Sequence, residues 1–144
     1  MRIDGRWLLC DDGILRPVIL AEALDANGAW KKLRMLVDTG ADCTVFSADI
    51  FRELGFQPAS AKQDIEGVGG RVESMAVTTK IRVARETGVA VSFEGPFAAV
   101  SDPKALDMSV LGRDLTNLFA VIVDRPKDVV CLLGQRHRYV IVEG

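Results

Sequence analysis

The chain has 144 residues, 49% of them hydrophobic and 26% charged, a balance that fits one compact domain able to bury about 70% of its unfolded surface without staples. A net charge of −2 gives no basic footprint for nucleic acid, and no run approaches the roughly 20 apolar residues that span a bilayer. Three cysteines (Cys10, Cys43, Cys131) form no paired spacing, which argues against a disulfide framework or zinc site; they read as small buried apolar residues in a reducing compartment.

Met1 to Cys10 is too polar and short-cored for a signal peptide, so the expectation is a soluble, cytoplasmic protein. Beyond it, short apolar runs broken by turn residues predict a mostly β chain. Leu15 to Leu24 and Trp30 to Val37 read as strands joined by Asp25-Ala26-Asn27-Gly28, where Asn-Gly tolerates the positive φ of a hairpin turn. Pro17, near the start of its strand, favours an edge there. Thr44-Val45-Phe46 is a short further strand. Ser47 caps a helix over Ala48 to Leu54, with Ile50, Phe51 and Leu54 on one face and Gly55 as its stop. Residues 72–84 and 89–100 read as strands around Glu86-Thr87-Gly88, and Gly95-Pro96 and Asp102-Pro103-Lys104 break the run that follows. A second short helix is expected over Arg113 to Leu118. After it come β-rich runs at Phe119 to Val123, Val129 to Leu133 and Arg138 to Val142, the first two joined by Arg125-Pro126-Lys127-Asp128. With no repeat and no linker, the chain reads as a single domain over residues 1–144.

The chemistry concentrates at residues 36–45. Asp38-Thr39-Gly40 follows the apolar Leu36-Val37 and precedes a second apolar strand, which sets a carboxylate at the tip of a sharp loop between buried elements. No salt-bridge partner is adjacent in sequence, a placement that suits a general base or acid. Asp-Thr-Gly is also an ordinary turn. Two further segments weigh against that bland reading: Ile65-Glu66-Gly67-Val68-Gly69-Gly70 and Val110-Leu111-Gly112-Arg113-Asp114-Leu115. In this order and spacing the three resemble the active-site motif, the glycine-rich flap tip and the second signature of the retropepsins, the retroviral-type branch of the aspartic proteases.

The resemblance covers about residues 15–133. It implies a single-domain, retropepsin-like acid-protease β-barrel with two short helices, working as a homodimer on peptide or protein substrates. It implies no cofactor or metal and no nucleic-acid or membrane partner. The chain holds one Asp-Thr-Gly, and Val123-Asp124-Arg125-Pro126 is no second copy, so the active enzyme would take one Asp38 from each subunit. Two carboxyls about 3 Å apart cannot both ionise, as is general in aspartic proteases: the ionised one deprotonates a water and the protonated one polarises the substrate carbonyl.

By the same resemblance, the Thr39 hydroxyl bonds across the two-fold, and Gly40 lets substrate backbone approach closely. Ala41 replaces a hydroxyl residue common in pepsin-like enzymes and implies a working pH nearer neutral. Asp42 is held by Arg113 while it helps bind substrate backbone, although read alone it is an ordinary surface carboxylate. Gly112 and Arg113 support the site. Gly67, Val68 and Gly69 form a flap tip that closes over substrate. Leu36, Val45, Val68, Met108 and Val110 line side-chain pockets, where residues alone would be read as core. Cys43 departs from the acidic residue of some viral members, so their specificity does not transfer. His137, between two arginines, reads as solvated, not as a metal ligand.

The two runs around Arg125 to Asp128 resemble a C-terminal hairpin that pairs between subunits and covers its exposed apolar edge. Arg2 to Cys10 and Gly134 to Gly144 are additional; each could extend the dimer sheet, pack along it, or sit in the cleft. Two other classes stay open: a retropepsin-fold dimerisation or peptide-binding module with little proteolysis, and an unrelated β-barrel carrying a chance motif.

Overall fold

The Asp25–Ala29 turn shows how local chemistry sets this fold. The Asp25 carboxylate accepts the amides of Asn27 (2.9 Å) and Ala29 (2.8 Å), and Gly28 takes a φ of 82°. The turn joins strands over Leu15–Leu24 and Trp30–Val37, with the bounds read from sequence. The computed structural model describes residues 1–58, 62–67, 70–134 and 142. In chain order its elements are β1 (Arg2–Asp4), β2 (Arg6–Leu9), β3 (Leu15–Leu24), β4 (Trp30–Val37), β5 (Val45–Phe46) and α1 (Ala48–Leu54). They continue with β6 (Lys62–Gly67), β7 (Gly70–Ala84), β8 (Ala90–Val100), β9 (Ser109–Leu111), α2 (Arg113–Thr116), β10 (Ala120–Asp124) and β11 (Val129–Leu133).

Eight strands form one sheet in the order β2-β3-β4-β9-β5-β8-β7-β6, and β3 also pairs with β7, which closes the sheet on itself. Alternation decides what lies inside. Leu33, Met35 and Val37 on β4, and Met75, Val77, Ile81 and Val83 on β7, are buried at a spacing of two. Phe46 and Phe97 meet edge-to-face at 5.9 Å in this core. A second sheet, β1-β11-β10, lays Ile3, Val130 and Leu132 against the same core.

The N-terminal segment thus pairs within its own chain. β1 runs along β11, β2 along β3, and only Gly5 separates them. A side chain at Gly5 would strike the Val18 carbonyl and lie 2.7 Å from Ile19 Cδ1, which explains glycine at this crossing. β1 also covers the outer edge of β11, so of the apolar hairpin only β10 keeps an open edge among the described residues.

Several local expectations need correction. Gly95-Pro96 does not break its run, since β8 continues through both residues. The Ala98 amide points outward to the Thr44 carbonyl, and the Pro96 nitrogen, two residues earlier, points the same way. β5 pairs with β8 only at Ala98 and Ala99, so the proline removes no rung there. Pro17 is not on a bare edge, because Trp7 of β2 lies opposite it, while the ladder to β4 starts at Val18. Ser47 stands at the N-cap of α1 without capping; its amide and hydroxyl instead meet the buried Ser109 hydroxyl at 3.0 and 3.4 Å. α2 stops at Thr116 and tightens into turns through Leu118 and Phe119 before β10. Of the three thiols only Cys131 is buried; Cys10 and Cys43 are half-exposed. The expected strand over Arg138 to Val142 falls outside the described residues, apart from an exposed Val142.

Candidate active site

Two adjacent strands deliver the site. β4 and β9 run parallel, with Leu36 beside Val110 and Val37 beside Leu111, and the Asp38 amide extends the ladder to the Leu111 carbonyl at 3.2 Å. Asp38 therefore leaves the sheet from a fixed position. The chain then turns at once: the Ala41 amide bonds the Asp38 carbonyl (3.3 Å), and the Gly40 amide donates to Asp38 Oδ1 (2.9 Å). That bond aligns the carboxylate without burying it. Asp38 is half-buried, and Thr39 and Gly40 are exposed. A Cβ on Gly40 would lie 3.1 Å from Asp38 Oδ1, so glycine keeps the space beside the carboxylate clear.

The loop after Asp38 is braced by the start of α2. The Arg113 amide donates to the Ala41 carbonyl at 2.8 Å, and the Arg113 guanidinium pairs with the exposed Asp42 carboxylate, as the sequence suggested. Gly112 has no room for a side chain, since a Cβ would collide with the Cys43 carbonyl and sit 2.8 Å from the Thr44 amide. Asp114 received no role from the sequence, yet it carries much of this joint. It accepts the Thr44 amide (2.9 Å) and hydroxyl (2.7 Å) and, from its own helix, the Leu115 amide (2.9 Å). The Thr44 hydroxyl oxygen accepts the Gly112 amide at 3.1 Å, so the buried threonine is fully engaged. Its signal was the acidic residue directly after Gly112-Arg113, readable only with a partner in mind. Between these groups, burial first and then the Asp114 and Asp42 carboxylates push the Cys43 thiol above its ordinary pKa, which keeps it a poor nucleophile.

Of the expected pocket residues, Leu36, Met108 and Val110 line one pocket of about 260 Å³, with Arg16, Lys104 and Asp107 at its polar side. Val45 is not among them; it is buried where β5 crosses from β8 to β9. Arg16 was not foreseen. It holds Asp12 through two bonds, of 2.9 and 2.6 Å, and together with the Ile14 amide brings the Asp12 carboxyl down to about 2. β6 and β7 form a hairpin in which Gly67 faces Gly70, the latter at a φ of 107°. Val68 and Gly69 lie outside the described residues, as does His137.

The closed sheet, the paired β4 and β9 and the joint to α2 define a retropepsin-like fold. A retropepsin-like aspartic protease from Rickettsia conorii superposes with a TM-score of 0.54 at 21% identity, over 92% of this chain and 88% of that one. The EIAV protease solved with the inhibitor HBY-793 matches at 25% identity and a TM-score of 0.49, over 71% of this chain and 86% of that one. No curated protein sequence matches. The aspartyl protease family profile matches residues 23–115, most of the chain, and the chain belongs to that family.

Proposed function

We propose that the chain is an aspartic endopeptidase that acts as a homodimer, with a water activated between two Asp38 carboxylates, one per subunit. The observation that carries this reading is the placement of Asp38. It leaves a rigid strand pair, is aligned by the Gly40 amide and stays half-exposed on the only Asp-Thr-Gly of the sequence. A single carboxylate supplies one of the two protonation states that amide hydrolysis needs, and a second copy about a two-fold axis supplies the other. The exposed Thr39 next to it is free to bond across that axis. Asp42, held by Arg113, presents acceptors to substrate backbone, and the pocket of Leu36, Met108 and Val110 takes an apolar side chain beside the cut bond. The β6–β7 hairpin serves as the flap, its described ladder ending where Gly67 faces Gly70.

Cleavage of a peptide library by wild type and by Asp38→Asn tests the reading. The expected loss is roughly 10²–10⁴-fold or more, the range for removal of a general acid–base group. Equal cleavage by both proteins removes Asp38 from the chemistry. A hydroxyl donor at position 41 would favour the ionised aspartate; with Ala41 there instead, the expected wild-type pH–rate profile is bell-shaped with its optimum above about pH 3, nearer neutral.

A further inference from the structure

A groove of about 1030 Å³ lies beside the pocket described above, and Arg16, Asp107 and Met108 line both, so the two spaces adjoin. Sheet alternation sets its floor. Leu36, Arg34 and Lys32 share one face of β4, opposite Val18, Leu20 and Glu22 of β3. Leu8 and Arg6 carry that face onto β2, opposite Arg16 and Val18. A chain lying on this face and leading away from Asp38 passes from Leu36 to Arg34 in about 7 Å and to Lys32 in about 13 Å. Facing side chains of an extended peptide recur at the same spacing.

Charge and exposure show what would lie there. Among the lining carboxylates, Asp12 is tied to Arg16, Glu22 to Arg82 and Asp49 to Arg52. Asp11 and Asp107 are the other two, in the turn after β2 and just before β9. The cations Arg6, Lys32 and Arg34 make no ion pair among the described residues, although Lys32 helps hold the Glu22 carboxyl low. Leu20, between Arg6 and Arg34 on this face, is 48% exposed. Of the lining charges without an ion pair among the described residues, three are cations on the strands of the floor and two, Asp11 and Asp107, are carboxylates in its loops. Positive charge therefore prevails on the floor itself, around apolar surface.

We propose that the groove docks a second stretch of the substrate polypeptide, an extended segment that lays apolar side chains on Leu8 and Leu20 and sets acidic ones against Arg34, Lys32 and Arg6. The identity of the occupant rests on the peptidase reading; the groove and its charge do not. The test uses the full chain carrying Asp38→Asn and fluorescein-labelled peptides of alternating Glu and Leu, with Lys-and-Leu peptides as the reversed-charge probe, read by anisotropy. The acidic peptides bind, the basic ones do not, and Lys32→Ala with Arg34→Ala weakens binding by about fivefold or more, the effect of two exposed ion pairs. Added salt weakens it as well. In otherwise wild-type protein the same pair of substitutions raises KM for substrates extended by an acidic apolar segment and leaves short substrates unchanged. No binding, equal binding of both probes, or indifference to the two substitutions overturns the proposal. Because anisotropy needs no cleavage, a failed peptidase assignment and a failed docking groove give different results.

Discussion

Gly112 has a carbonyl where its side chain would be. Gly112→Ala must push the Cys43 carbonyl and the Thr44 amide away, which breaks the joint between the Asp38 loop and α2. The expected cost is roughly 1–3 kcal/mol, the usual range for overpacking, read as a lower urea midpoint, with cleavage falling further than stability because the loop that moves carries Asp38. The tight loop at Asp38-Thr39-Gly40 and the Asp42–Arg113 pair were legible because they sit in short motifs of fixed order. The clasp of Thr44 by Asp114 was not, because the two lie 70 residues apart and nothing local marks a threonine whose hydroxyl is spoken for by a distant carboxylate. Val45, expected at a pocket wall, lies buried between β8 and β9, and that burial is decided by two strands elsewhere in the chain.

Among the elements, β1 has only three residues but a clear structural task. Ile3 is 1% exposed and packs with Val130 and Leu132, while the Arg2 amide and carbonyl both bond Glu86, in the turn between β7 and β8. Ile3→Ala is expected to cost about 2–5 kcal/mol, the range for truncating a buried isoleucine, as measured by urea denaturation. An unchanged midpoint would mean that β1 is held only loosely. β3, β4 and α1 were legible to the residue, because each combines a regular apolar pattern with its own stop signal, Gly28 or Gly55. β9 has only three residues and is defined wholly by its neighbours, so no periodicity could announce it. Pro96 misled for the same reason: proline breaks a strand only where an amide is needed, and that depends on which strand lies alongside.

At the scale of the whole molecule, acid acts through a few carboxyls held low. Arg16 lowers Asp12, Arg82 lowers Glu22, and the Arg2 amide lowers Glu86. Each is less basic in the folded chain than in the unfolded one, so its stabilisation is complete above the ordinary carboxylate range and is lost as pH falls through the folded value. Urea midpoints are therefore expected to drop between about pH 4 and pH 2, and to drop less steeply in Asp12→Asn. Assembly offers a second test. Ile122 and Val123 are 37% and 44% exposed on β10, whose outer edge has no partner strand among the described residues. If two copies join there, specific activity rises with protein concentration, and Val123→Lys shifts that rise to higher concentration without lowering the urea midpoint of the monomer. Sedimentation of both proteins checks it.

β7 is 15 residues long, but β8 runs beside it only from Ser74 onward; among the described residues, β6 is the one strand laddered to residues 70–73. The hairpin is thus a cantilever, with its root clamped in a closed sheet and its free span a two-stranded ribbon of the kind that is barely stable alone. Such a span bends about its root without parting any rung of the closed ring; if this hairpin is the flap proposed above, its bending leaves the strands that hold Asp38 undisturbed.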